Sequence, residues 1–389
     1  MNLNYGPLCA MQSETERGRV KIRFASIAQS VIGGVRYGDW RPDVSASSAA
    51  GGQHKPKGKV PDMEPLPFLR AFAAAALMLA ALAAHGQQYP SRPVVIVVPF
   101  TTGGGADIAA RNLTAVLPKY IGQNVVVLNK VGASGAIGSE DVKKANPDGY
   151  TLLVGRVGTH ATLPALKPNL AYKWNDFTFL GLLDLNPYVC AVRNDSPYET
   201  FGDLVEGIKK NPGMLKYSTA GVGTIDEMGP QLLFNSLKLG REAAIQIPYK
   251  GTGDAAMALM SRQVDFSCTI IVPMLGFIRA GQFRALVVTT PERYKEIPNV
   301  PTAREIGFQV IENIIGWDAL YGPPKMDAEL VRFWGNTLKK VSQDPQWVTV
   351  TEKTGSVPRI MTPEETAQFA KDQYDMYYKL GKAIGLVLE

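Results

Sequence analysis

Histidine and cysteine are both scarce in this chain, three of each among 389 residues, and the scarcity removes whole classes of chemistry. His54 and His85 lie in an N-terminal stretch that does not read as folded, so only His160 is left for a Ser-His-Asp or Cys-His arrangement. No G-x-S-x-G elbow accompanies it. Cys9, Cys190 and Cys268 show no C-x-x-C spacing and no neighbouring histidine, and no metal or other cofactor is expected. Cys190 and Cys268 read as small buried apolar residues; an oxidising compartment permits a bridge, but spacing alone does not bring their Cα atoms within the roughly 7 Å that one needs. Long apolar runs are also missing, none reaching the roughly 18 residues of a membrane-spanning helix.

The nearest approach to such a run is the Ala/Leu-rich stretch from Phe68 to Ala84, which follows Met63 and ends in Ala84-His85-Gly86. It reads as a secretory signal over 63–86. Arg70 is its positive n-region, Phe72 to Ala83 its apolar centre, and Ala84 and Gly86 are the small residues of a cleavage site before Gln87, with cleavage after Ala83 as the alternative. Residues 1–62, with a Ser/Ala/Gly tract at Ser45 to Gly52 and a basic cluster at Lys55 to Lys59, read as a disordered or mis-called extension. Export to the periplasm follows. The net charge of +6 then loses its meaning as a nucleic-acid signal, because residues 1–86 hold ten of the 41 Lys/Arg and six of the 35 Asp/Glu and the remainder is about +2.

A chain of this length exceeds the roughly 250 to 300 residues at which single cores stop growing, so two domains are expected. From Arg92 onward β-branched runs alternate with helical patterns, the signature of an α/β fold on a mostly parallel sheet. Strands are predicted at Val94 to Pro99, Asn124 to Leu128, Thr151 to Val154 and Tyr188 to Val192, with helices at Asp107 to Tyr120 and Ser139 to Ala145. A crossing after Val192 opens a second set of units, beginning with a helix at Phe201 to Lys210. Strands follow at Leu215 to Ser218, Ala244 to Ile247, Phe266 to Ile271 and Arg284 to Val288, with helices at Met228 to Leu237 and Asp254 to Ser261. The return crossing is expected near Ile314 to Tyr321, and helices at Ala328 to Val341, Asp344 to Thr354 and Pro363 to Ile384 end the chain. Residues 87–192 and 315–389 thus form domain 1, residues 193–314 form domain 2, and two strands join them as a hinge that closes on a ligand.

The strongest local signal is the run Val97 to Asp107, a buried strand ending in Phe100, Thr101, Thr102, Gly103, Gly104 and Gly105 before a helix. Glycines let a ligand approach the main chain, and amide donors at the positive end of a helix suit a carboxylate or phosphate. A nucleotide loop is excluded: no Gly-Lys-Ser/Thr closes it, and the second strand ends in Asn129-Lys130 where a dinucleotide ribose needs an acid. Glycine clusters recur at Val131 to Gly138 and, in the second domain, at Ser218 to Thr224. Such loops lie at the carboxyl edge of an α/β sheet and can face one another across a cleft. Asp226-Glu227 reads as a helix N-terminal acid pair, and Trp174 and Trp317 as core or hinge packing, Trp317 with a possible place in the cleft wall.

At these residues the chain resembles the substrate-binding receptors of tripartite tricarboxylate transporters, the Bug or TctC family. The resemblance runs from about Tyr89 to Leu380 and rests on Tyr89-Pro90-Ser91-Arg92-Pro93, the Val97 to Asp107 loop with Arg111, and Asn129 with Gly132-Ala133-Ser134-Gly135. It continues through Pro147-Asp148-Gly149-Tyr150-Thr151-Leu152-Leu153, Pro248-Tyr249-Lys250-Gly251, Ala280-Gly281-Gln282-Phe283-Arg284-Ala285-Leu286 and Pro298-Asn299-Val300-Pro301-Thr302. It implies a type II periplasmic binding fold, two doubly wound α/β domains that close over a small carboxylate largely through backbone amides and water. It implies ligand contacts at Phe100, Thr101, Thr102, Gly103, Gly104, Gly105, Asp107, Gly132, Ala133, Ser134 and Thr159, with His160 nearby. From the second domain it implies Ser218, Thr219, Gly221, Gly223, Thr224 and Asp254, beside Lys250 and Gly251. A monomeric receptor that is not an enzyme would deliver its solute to integral-membrane permease subunits. Two departures stand out: Thr102, where the family has Pro or Ala, adds a donor, and Glu227, where relatives carry His, adds negative charge or points to solvent.

Two other classes share this scaffold. One is an enzyme using His160 or Asp107 as acid or base, which predicts product formation lost in His160→Ala. The other is a receptor that signals to a membrane sensor.

Overall fold

Val94–Val98 has no polar side chain to mark an outer face, and it forms strand β1, buried along nearly its whole length. The computed structural model describes residues 89–312 and 314–388; the extension and the secretory segment expected over 1–86 lie outside them. After β1 come α1 (Gly105–Thr114), α2 (Leu117–Ile121), β2 (Val125–Asn129), α3 (Ala136–Lys143) and β3 (Thr151–Arg156). β1 pairs in parallel with β2 and with β3. β2 is the edge strand, where burial alternates and Val126 and Leu128 are exposed. The single helix expected over Asp107 to Tyr120 is divided, because the Pro118 ring cannot follow a continuous helix past the carbonyl of Thr114.

A π-turn at Gly158–Thr162 and α4 (Leu163–Leu166) lead to β4 (Thr178–Arg193). Next come α5 (Phe201–Lys210), β5 (Lys216–Thr219), α6 (Ile225–Ser236), β6 (Ile245–Pro248), α7 (Thr252–Met260), β7 (Phe266–Ile270), α8 (Leu275–Arg279) and β8 (Phe283–Val288). The chain returns through β9 (Ile315–Gly322) and ends with α9 (Ala328–Val341), α10 (Pro345–Lys353), β10 (Val357–Pro358) and α11 (Pro363–Ala383). α5 and α11 start with reciprocal capping boxes, Thr200 with Asp203 and Thr362 with Glu365. None of the described helices is long and apolar enough to cross a membrane.

The strand order is β2-β1-β3-β9-β4-β7-β5-β6, with β8 and β10 also on β4. β4, at 16 residues, is far longer than the Tyr188 to Val192 segment expected. Its first part pairs antiparallel with β9, Asp184 standing opposite Asp318; its second part pairs antiparallel with β7 and β8. The sheet is therefore mixed, parallel within each half and antiparallel where β9 and β4 join them. One half carries β1, β2, β3, β9 and β10, the other β5 to β8; β4 runs through both. We call these halves the first and second lobes.

The expectation that Cys190 and Cys268 are merely buried apolar residues is corrected, since they form a disulfide. They stand directly opposite one another in the antiparallel β4–β7 pairing, a register that brings side chains 78 residues apart into contact and that no linear spacing reveals. Trp317 is fully buried and packs edge-on against Phe369 of α11, while Trp174 stacks on Tyr374. Both are packing residues.

Candidate functional site

The first-lobe loop is held by Asp107. Its carboxylate accepts the Gly103 amide at 3.0 Å, Arg111 Nε at 2.8 Å and Asn129 Nδ2 at 3.0 Å, and the same Asn129 nitrogen donates to the Phe100 carbonyl. Burial pushes Asp107 up, but Arg111, Gly103 and Asn129 outweigh it and hold the carboxyl below its usual range. An ionised, three-fold bonded carboxylate is a clasp for the turn. Gly103 sits at φ +79°, where a Cβ is costly. Thr102 is exposed and donates to Asn129 Oδ1 at 3.3 Å.

The second first-lobe loop is more strained. Gly132, Ala133, Ser134 and Gly135 all have positive φ, including the two residues that carry a Cβ. The contortion sets Ser134 against Gly221 of the second lobe. Thr159 Oγ1 bridges the main chain of Arg156 and the Nδ1 of His160.

In the second lobe, Asp226 accepts the Ala220 amide at 2.8 Å and Glu227 the Gly223 amide at 2.7 Å. The pair occupies the first turn of α6, as read from sequence, but Glu227 does not point to solvent: it is buried and fastens its own loop. Thr224 donates to the Gly221 carbonyl, Thr219 accepts from Gln246, and Ser218 bonds Ser267 beneath the loop. Lys250 is exposed. Several amides expected to face a ligand thus already serve the loops themselves.

At the glycine loop the lobes are joined by two hydrogen bonds, Thr101 Oγ1 to Asp254 at 3.0 Å and the Gly105 amide to Thr252 Oγ1 at 3.0 Å. Gly251 and Gly253 let α7 approach this closely: a Cβ on either would meet Thr101 or the Gly103–Gly104 backbone. Behind the seam lies a cavity of about 10 Å³, room for one water, between Phe100, Arg156, Gly158, Ala220, Thr224, Asp226, Thr252 and Ile270. The starts of α6 and α7 line it, each the positive end of a helix dipole.

Arg156, Thr252 and the wall-lining role of Asp226 escaped the sequence reading. Arg156 ends β3 and is 4% exposed. Its Nε lies 3.5 Å from Asp318 Oδ1, and Asn186 Nδ2 donates to both Asp318 and Asp184 at 2.9 Å. Burial and then the Asp318 charge push Asp184 well above the carboxylate range, while burial raises Asp318 too, against the pull of Arg156 and Asn186. Asp226, across the cavity, is lifted to about 6 by burial, with the Ala220 amide and Arg156 pulling it back. The available signal for Arg156 was one charge ending an otherwise apolar strand, since arginine is rarely buried without a purpose.

His160 is fully buried, 4.0 Å from the Tyr321 ring in a stacked arrangement, and burial lowers its pKa to about 3. A ring neutral throughout the physiological range and packed among aromatics is poorly placed as an acid.

The sequence profile of the tripartite tricarboxylate transporter family receptors matches residues 109–386. The chain belongs to this receptor family. A UPF0065 protein of Bordetella pertussis is 30% identical over 324 residues, covering 83% of this chain and 99% of the relative. The solved periplasmic binding protein BugD superposes with a TM-score of 0.73 at 31% identity over 77% of this chain and 100% of its own. MatC of Rhodopseudomonas palustris, solved with bound malate, gives 0.70 at 30% identity over 75% of this chain and 99% of its own. Family members are periplasmic solute-binding receptors, and the two lobes described here are those of the type II periplasmic binding fold.

Proposed function

We propose that this receptor-family chain is exported, captures a small carboxylate between its lobes as a monomer, and hands it to integral-membrane permease subunits. The division into 87–192 with 315–389, and 193–314, is the pair of domains that closes. The observation that carries the reading is the convergence of two helix starts and a buried arginine on one interlobe cavity, groups suited to an anion. A cavity of one-water size does not admit a dicarboxylate such as malate, so capture requires the lobes to part and close again. The glycine loops would supply backbone contacts around the solute, and Glu227, spent on its own loop, need not oppose it.

The test is a thermal-shift screen of mono- and dicarboxylates with the secreted protein. A binder at a hundred times its dissociation constant stabilises by about 2.7 kcal/mol. Uniform absence of a shift across the panel removes the proposal. Turnover of a bound acid, lost in His160→Ala, would favour the enzyme alternative; the burial of His160 weighs against it.

A further inference from the structure

We infer that Arg156 grips a carboxylate group of the solute directly and so makes this receptor selective for an anion at the floor of the cleft; this rests on the carboxylate-receptor reading above. A guanidinium has five N–H donors in a fixed fork, and buried donors of a charged group are costly to leave unmatched. Arg156 spends little of this capacity inside the protein. Asp318, the acid it approaches within ion-pair reach, lies at the loose distance of 3.5 Å from Nε, and the Arg156 Nη2 is buried with no protein acceptor.

That nitrogen has a defined place. Arg156 lines the interlobe cavity, with its two terminal nitrogens against the Gly105 backbone at the start of α1 and its guanidinium carbon 5.8 Å from the Phe100 ring centroid. Gly105 permits this approach, because a Cβ there would crowd both nitrogens and the Ile270 side chain. The side chain is thus braced on one side by β9 through Asp318 and on the other by the glycine loop, with the cavity on its remaining side.

Among the described residues Arg156 is the one cation lining the cavity; it faces Asp318 only through a long contact, and Asp226 is the acid on the opposite wall. Strands β4 and β9 supply Asp184 and Asp318, so the arginine is held at their junction and lines the cavity. A carboxylate oxygen at Nη2 gains a charge-assisted hydrogen bond in a site from which the lobes exclude water. On the second lobe Asp226 is the facing carboxyl, so a solute that sets its charge beside Arg156 and away from Asp226 is preferred.

The experiment is calorimetric titration with L-malate, succinate and succinamic acid, or with whichever carboxylate the screen returns. Variants are Arg156→Lys, which keeps the charge opposite Asp318, and the Arg156→Gln/Asp318→Asn double, which removes both charges and is measured against Asp318→Asn alone. Thermal unfolding confirms that each is folded. Arg156→Lys should weaken the carboxylate at least tenfold, and the double a hundredfold or more relative to Asp318→Asn. Binding within threefold of the reference in both comparisons overturns the assignment while leaving the receptor reading intact. No carboxylate bound by the wild type overturns both.

Discussion

Asp226 is the residue whose environment makes the sharpest solution prediction. Its folded pKa of about 6 lies above its value of 3.8 in an unstructured chain, because burial disfavours the charged form. The folded state therefore holds the proton more tightly; the group's full contribution is present below about pH 4 and is lost as pH rises through 6. By neutral pH the ionised carboxylate costs on the order of 2–3 kcal/mol. Asp226→Asn keeps an acceptor for the Ala220 amide and removes that cost. Urea unfolding should show the variant close to wild type at pH 4 and about 2–3 kcal/mol more stable at pH 7.5. A constant difference across that range would show that charge burial is not the cause.

Among the elements, β4 and β7 are tied by Cys190–Cys268, which closes a loop of sequence separation 78. In the chain-entropy view such a loop is worth about 4 kcal/mol. Cys190→Ser/Cys268→Ser should lower the urea midpoint accordingly, and reducing agent should destabilise the wild type but not the variant. Elements whose signals are local are legible in the sequence: Phe201–Lys210 and Ala328–Val341 fall where the apolar spacing puts them, the first capped by Thr200, the second by Asp327. β4 was under-read because Asp184, Asn186 and Pro187 look like loop residues, and only their cross-strand partners show them to be interior. The disulfide was invisible for the same reason. At the site, the glycine turns were legible because backbone conformation is a local demand, whereas Arg156 and Thr252 are single side chains whose meaning comes from what folds against them.

On the proposed capture by closure of the lobes, the seam at Thr252 is a handle on the balance between closed and open forms. Thr252→Val removes the acceptor for the buried Gly105 amide and should disfavour closure by about 1–3 kcal/mol. Small-angle scattering of the ligand-free variant should give a larger radius of gyration than wild type, with affinity for the carboxylate reduced at least fivefold; an unchanged radius would mean that this bond does not hold the seam. Beyond gating, the same connectivity constrains how the protein is made. β3 and the first part of β4 are each hydrogen-bonded to β9, a strand contributed by the last quarter of the chain. During synthesis the central edge of the first lobe must wait for that late arrival, as folds dominated by distant pairings do. A chain that cannot complete its sheet until β9 has been made stays threadable, which suits the export proposed for it.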